Sequence, residues 1–444
     1  KGGNWPNAAN INPAAFVDGL FSIDLWDGNG TARSITNDIN LSGSGGLVWF
    51  KMRDQGFSHR FVDTARGVTK KLETTNDAAE GTEAQGLTAF NSDGFTIGTA
   101  DNYNLNNADL CAWTFRKQPK FFDIVTYTGN GVLGRTISHS LGSVPGMIIV
   151  KRTNDAASWY VYHRGVDASA PEDYVLLLNG TNARINSSAA WNDTAPTDSV
   201  FTVGDNSNFN GSGDTYVAYL FAHNDDDGGF GEPGDQDIIK CGATGAYTAG
   251  TPLAVNLGFE PQWILVKQYD GTDGWYITDV MRGMEIDEGA YLQPNSNNAE
   301  TNSDNYGVAA PTPTGFILDP GSSSLLASGN YIYMAIRRGG MQTPTAASSV
   351  FGLQDYTSGG DGPVTGIVTD FSIIKDRDAD AANYAATRLL GSSYLTPMLN
   401  SAEVSSSDAI HDRMDGAWNT SFAGYMIWGW QRARGYFDVV AYSG

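Results

Sequence analysis

Apolar residues fall at every second position in a short phrase that the chain writes four times: FSIDLWDGNG at 21–30, FFDIVTYTGNG at 121–131, the looser DIIKCGATG at 237–245, and YFDVVAYSG at 436–444. Each runs into glycine, the pattern of a half-buried β-strand entering a turn. A more continuous apolar run ends on lysine in four places: LVWFK at Lys51, MIIVK at Lys151, WILVK at Lys267 and FSIIK at Lys375. Intervals of 100, 116 and 108 residues between these lysines set the repeat length, the signature of a chain built from copies of one unit. An arginine and a glycine follow each lysine: Arg66 with Gly67, Arg164 with Gly165, Arg282 with Gly283, and, stretched, Arg388 with Gly391. Three repeats then carry a Phe two residues before an aliphatic (Phe95 and Ile97, Phe201 and Val203, Phe316 and Leu318), which the fourth lacks. Closing runs LCAWTF (110–115), YVAYLF (216–221), YIYMAI (331–336) and YMIWGW (425–430) are apolar on both faces, as central strands covered on two sides are.

These phrases divide the chain into a linker at 1–20, sandwich units at 21–117, 122–224, 236–339 and a shortened 349–434, and the opening strand of a continuing module at 436–444. The predicted fold is all-β, a row of tandem antiparallel β-sandwich repeats. A unit of about 100 residues is long enough to bury its own core, so the expected arrangement is beads on a string. A merged core would overturn it. An opening strand with no partner behind it exposes an edge, so the native polypeptide is expected to continue beyond Gly444, and the first residue reads as a cut inside a larger protein. The one helical candidate is the alanine-rich DADAANYAATRLL at 378–390.

Composition supports this reading: 53 glycines and 11% aromatic residues favour short strands and tight turns. A net charge of -22 repels phosphate backbones and anionic lipid surfaces. Neither nucleic acid nor membrane insertion is expected, since no apolar run reaches 18 residues and KGGNWPNAAN lacks the features of a signal peptide. The two cysteines, Cys111 and Cys241, fall on different strands of different units, which predicts buried thiols and no disulfide.

Candidate chemistry is sparse. The phosphate-cradling Gly-Lys-Ser/Thr loop, HExxH and GxSxG are absent from the sequence, and His59, His139, His163, His223 and His411 are scattered without ligand spacing. No enzymatic activity and no cofactor are expected. Calcium is the one metal considered, at Asp225, Asp226, Asp227, Asp235 and Asp237 in the connector between the second and third units; solvated linker is the alternative. Asp376, Asp378 and Asp380 have the alternation of an EF-hand, but Ala381 and Thr387 stand where Gly and Glu belong. The repeated lysines are expected to lie along apolar surface with their ammonium groups in water. Trp159, Trp191, Trp263, Trp275 and Trp418 could stack on sugars, although their place in repeated phrases favours core.

The phrases FDIVTYTGNG, HSLGSVPGMIIVKR, WYVYHRG, AAWNDTAPTDSVFTVG and GDTYVAYLFAHNDDDGGFGE resemble the repeated β-sandwich module of large virion proteins in tailed bacteriophages, especially those of marine bacteria. The likeness covers about 10–444 and is strongest in the second unit. It implies a jelly-roll or concanavalin-like sandwich without a catalytic site, and a structural component on the exterior of a phage particle. A tail fibre or tail-associated protein that contributes spacing and host attachment is the expected role. Expected partners are other virion proteins, further copies of the chain (a trimer in a fibre), and a host-surface glycan or protein. A capsid-mounted fibre or decoration protein is one alternative; a carbohydrate-binding module or polysaccharide depolymerase is another.

Overall fold

The computed structural model describes residues 16–440 apart from 232–233, 235, 285–288, 303–305, 322, 340, 342, 357–364, 380, 392, 406–410, 412–413 and 415–423. The chain is all-β, organised as tandem β-sandwiches. In the first unit the large sheet runs, in spatial order, Phe21–Asp27, Asp109–Arg116, Gly46–Met52, Arg60–Asp63, Lys70–Glu73 and Gly81–Thr82. Every described neighbour pair is antiparallel. The doubly apolar closing strand lies one in from the edge, bonded on one side to the opening strand and on the other to the strand that ends in lysine.

The same order recurs in the second unit, from Phe122–Thr128 through Thr215–Ala222 and Pro145–Arg152 to Ile185–Asn186. In the third it runs Ile239–Tyr247, Gly329–Arg337, Pro261–Gln268 and Trp275–Asp279, prolonged by bridges Ile277↔Leu292 and Tyr291↔Thr301. The fourth has Phe351–Tyr356, Tyr425–Trp430, Phe371–Asp376, Asn383–Thr387, Ser393–Leu395 and Val404–Ser405. Register coincides as well: Trp49↔Trp113, Ile149↔Tyr219, Leu265↔Met334 and Ile373↔Trp428 are equivalent pairs. Each of the first three units adds a small second sheet that includes its Phe-x-aliphatic strand, at Gly94–Ile97, Val200–Val203 and Gly315–Leu318.

Because side chains alternate across a strand, each large sheet has two apolar faces with different partners. In the first unit Val48, Phe50 and Met52 face the small sheet and pack with Leu87, Phe95 and Ile97. Leu47, Trp49, Phe61 and Trp113 face the other way, into one cluster shared with the second and third units. Phe61 meets Trp159 and Tyr219 at 5.2 and 5.1 Å, and Trp263 meets Phe115 at 5.9 Å. The beads-on-a-string arrangement is therefore corrected: three sandwiches share one core. A sheet apolar on both faces stays exposed on one of them unless something beyond its own small sheet covers it, and here the neighbouring units do so.

The alanine-rich segment is not a helix. Asn383–Thr387 is a strand and only Arg388–Leu390 forms a 3-10 turn. Pairing of five residues with Phe371–Lys375 outweighs the helix propensity of alanine. Both cysteines are buried free thiols.

Candidate functional site

The repeated polar positions converge on the seams between sandwiches. Lys51, Lys151 and Lys267 lie on the inward face, one strand pitch beyond Trp49, Ile149 and Leu265, and are at most 1% exposed. Their ammonium groups are not in water, contrary to expectation; backbone carbonyls surround them. Lys51 Nζ donates to the carbonyls of Met52 and Gln55, Lys151 Nζ to Ala157 and Asp77, and Lys267 Nζ to Gln268, Asp273 and Thr181. Asp77 belongs to the first unit and Thr181 to the second, so two of these lysines tie their own hairpin to the preceding sandwich. Burial pushes all three amines down to about 8.

Beside each lysine the main chains of adjacent units join. Glu80 N–H donates to the Thr153 carbonyl at 2.8 Å, Arg184 N–H to Tyr269 at 2.7 Å, and Glu300 N–H to Arg53 at 2.5 Å. First joins second, second joins third, and third returns to first. The three sandwiches close a ring with approximate three-fold symmetry. Indole N–H groups strengthen two seams, Trp159 to the Glu73 carbonyl and Trp275 to that of Leu177, both at 2.8 Å. His59 occupies the matching place in the first unit, beside the Gln293 backbone of the third.

The arginine motif serves the same closure. Arg66 binds Asp63 at 2.6 Å and Tyr219 of the second unit at 3.2 Å. Arg282 binds Asp279 at 2.7 Å, and Trp113 of the first unit donates to the same carboxylate at 2.9 Å. Glu300 bridges Arg282 and Arg53, each at 2.8 Å. Burial alone would raise the Glu300 carboxyl, but the two guanidinium groups outweigh it and hold it down to about 2. In the second unit His163 replaces the aspartate: Nε2 meets the Tyr333 carbonyl of the third unit at 3.0 Å and Nδ1 accepts from Gly165 N–H at 3.1 Å. Burial pushes this imidazole down to about 3.

Among the described residues the proposed calcium ligands do not gather into one cluster. Asp237 turns inward, accepting from the amides of Asp226 and Gly228 and pairing with Lys240 at 3.3 Å. Burial opposes these contacts, yet the carboxyl stays below its usual range. Asp225, Asp226 and Asp227 are exposed, and Asp235 lies outside the described residues. The connector is pinned by its own amides and by Lys120, which donates to the Asp227 carbonyl at 2.6 Å. Asp376 likewise accepts from the amides of Asp378 and Ala379 in a local turn, and Asp380 is outside the described residues. Trp159, Trp191, Trp263 and Trp275 are at most 2% exposed and so present no face to a sugar; Trp418 is outside the described residues.

A cleft of about 740 Å³ opens where the fourth unit meets the first and third. Asp24, Asp370, Arg116, Arg338 and Arg432 border it. Burial pushes the Asp24 carboxyl up to about 6 against hydrogen bonds from Asn37, Ser22 and Thr114. Asp370 accepts from the Arg432 amide, and Arg338 pairs with Glu260. Asp24 and Asp370 are thus both hydrogen-bonded within the protein.

Residues 18–338 match the family described as Domain of unknown function (DUF7483). The chain belongs to this family. The DUF7483 match begins with the first sandwich and ends with the third, so it spans the body that closes the ring. No curated protein matches the chain.

One element of the seam escaped sequence reasoning. The segments Asp77–Glu80, Thr181–Arg184, Asn297–Glu300 and Asn400–Glu403 each end in Ala followed by Glu or Arg. That recurrence was open to the same self-comparison that found the lysines, but it is short, polar and lies in a loop.

Proposed function

We propose that the chain is a structural and interaction component of a bacteriophage particle, a tail fibre or tail-associated protein that spaces other virion proteins and contributes to host attachment. The ring carries this reading: recurring positions such as Lys151, Lys267, Arg66 and the amides of Glu80, Arg184 and Glu300 join one sandwich to another. The fourth unit supports it by docking end to end. Gly391 approaches Gly283, its counterpart in the third unit, and Arg338 and Arg432, which are equivalent positions, both pair with Glu260. Rings joined through matching ends make a stiff, elongated body. A homotrimer is not required for such a stalk, since one chain already makes the three-fold closure.

Antibodies against the chain, applied to purified particles in electron microscopy, test the role. Labelling along the tail is expected; labelling on the head would favour a capsid-mounted fibre. Absence of the chain from purified particles would end the virion reading. A carbohydrate-binding role would draw on the cleft around Asp24, and a glycan array with the purified chain reads it directly.

A further inference from the structure

The seam between the second and third sandwiches is built from different groups than its two counterparts. Register places His163 opposite Met147 as it places Asp63 opposite Leu47 and Asp279 opposite Trp263. Asp63 and Asp279 pair with the buried guanidinium groups of Arg66 and Arg282, and each also accepts from an aromatic donor of the next unit, Tyr219 or Trp113. The second unit has an imidazole in that place, and its Arg164 is exposed. A second exchange lies beside the first. Lys117 follows the first unit's closing strand and pairs with Asp123, whereas the equivalent residue of the second unit is His223, whose Nδ1 accepts from the Cys241 N–H of the third unit at 3.2 Å.

The ring nitrogens of His163 have opposite tasks. Nδ1 accepts from the Gly165 N–H, so the single ring proton sits on Nε2 and is donated to the Tyr333 carbonyl of the third unit. A second proton has to go on Nδ1, where the Gly165 N–H already points. The turn has no room to swing away, because a Cβ on Gly165 would lie 2.8 Å from the Gly242 carbonyl oxygen.

The neighbours of His163 do not compensate a positive charge. Arg164, next in the chain, and His223, from the connector, both disfavour it. The paired strand Pro145–Arg152 presents Met147. The third-unit strands bring Cys241 and Tyr333, and burial raises that thiol and that phenol, as it does Tyr162 on the histidine's own strand, so all three stay neutral. Among the described residues no carboxylate bears on His163. Asp225 and Asp237 act on His223, where Arg164 and Lys240 oppose them.

We propose that this seam is an acid-operated latch: when His163 takes up a proton, the second and third sandwiches part along it, while carboxylate–guanidinium pairs hold the other two seams closed. Nδ1 gains the proton from water as the Gly165 N–H and the Tyr333 carbonyl turn to solvent. At the seam of the third unit with the first, Glu300 stays ionised between Arg53 and Arg282 through the range in which an imidazole titrates. His59 also lies at that seam, but its Nδ1 accepts from the Trp49 indole of its own unit beside Lys51 of the same unit, contacts that parting from the third unit leaves in place. The latch is independent of the virion reading.

Hydrogen exchange read at the main-chain seam bonds of the full chain tests the proposal. The reporters are Arg184 N–H, bonded to Tyr269 across the latch, and Glu80 N–H, bonded to Thr153 across the seam of the first and second units. After correction for the intrinsic pH dependence of exchange, opening at Arg184 is expected to rise at least about 25-fold between pH 7 and pH 5, because an imidazole held down to about 3 in the closed seam returns to 6.5 in the open one. Opening at Glu80 is expected to rise by less than about threefold. In His163→Gln, whose side chain takes up no proton in this range, the rise at Arg184 is expected to be smaller by about tenfold or more. Equal rises at Arg184 and Glu80 in the wild-type chain overturn the latch without recourse to a variant. A His163→Gln chain that keeps the wild-type rise at Arg184 overturns it too.

Discussion

His163 shows how a single buried group links the seam to pH. Its imidazole is neutral in the fold, with the pKa pushed down from 6.5 to about 3. A group whose folded pKa is depressed contributes stability above its unfolded value and loses it as pH falls toward the folded one. His163 therefore supports the fold above pH 6.5 and gives up about 2 kcal/mol by pH 5. Glu300, held near 2 against an ordinary 4.5, loses its share only below about pH 4.5. Asp24, pushed up to about 6, acts in the opposite sense, weakening the fold as pH rises through 6. Urea midpoints of the full chain at pH 7 and pH 5, compared with those of His163→Gln, isolate the histidine. The wild-type midpoint is expected to fall more between the two pH values than that of the variant, and equal falls would contradict the assignment.

At the scale of elements, the seams are places where backbones approach too closely for a side chain. A Cβ on Gly165 would lie 2.7 Å from the Gly242 carbonyl carbon in the opening strand of the third unit. Overpacking of that kind costs about 1–3 kcal/mol. Gly165→Ala is accordingly expected to lower the thermal midpoint by several degrees, and an unchanged midpoint would place the contact outside the stabilising seam. Glycine after the arginine was visible in every repeat, but its reason differs: Gly67 and Gly283 have φ of +98°, and Gly165 is spared a clash.

Strands were legible because alternation and the lysine stop are local properties. Lysines 51, 151 and 267 misled because recurrence reveals a shared task without revealing its surroundings; a lysine capped by backbone carbonyls looks, in sequence, like one ending in water. The strand at Asn383–Thr387 was hidden for a similar reason, since its pairing partner and not its alanines decides its form. The connector aspartates suggested a cation, yet the carboxylates of Asp227 and Asp237 accept from amides two to eleven residues away along the chain. No spacing rule distinguishes those two uses of Asp.

For the whole molecule, closing runs apolar on both faces held the decisive information: each sheet has more apolar surface than its own small sheet can cover, and three such sheets hide the excess around a common axis. Stability of the three sandwiches should then be a joint property, unlike that of a string of independent domains. The fourth keeps a small cluster of its own at Tyr356, Ile374, Ala386 and Ile427 and touches the shared core through Leu389. Lys267→Met probes the difference. It removes a donor from the carbonyls of Thr181, Gln268 and Asp273, a loss of about 1–3 kcal/mol. Hydrogen exchange of the full chain carrying this substitution is the most direct test of ring closure. Protection is expected to fall together in Pro261–Gln268, Pro145–Arg152 and Gly46–Met52; a fall confined to Pro261–Gln268, with the other two strands untouched, would contradict a shared core.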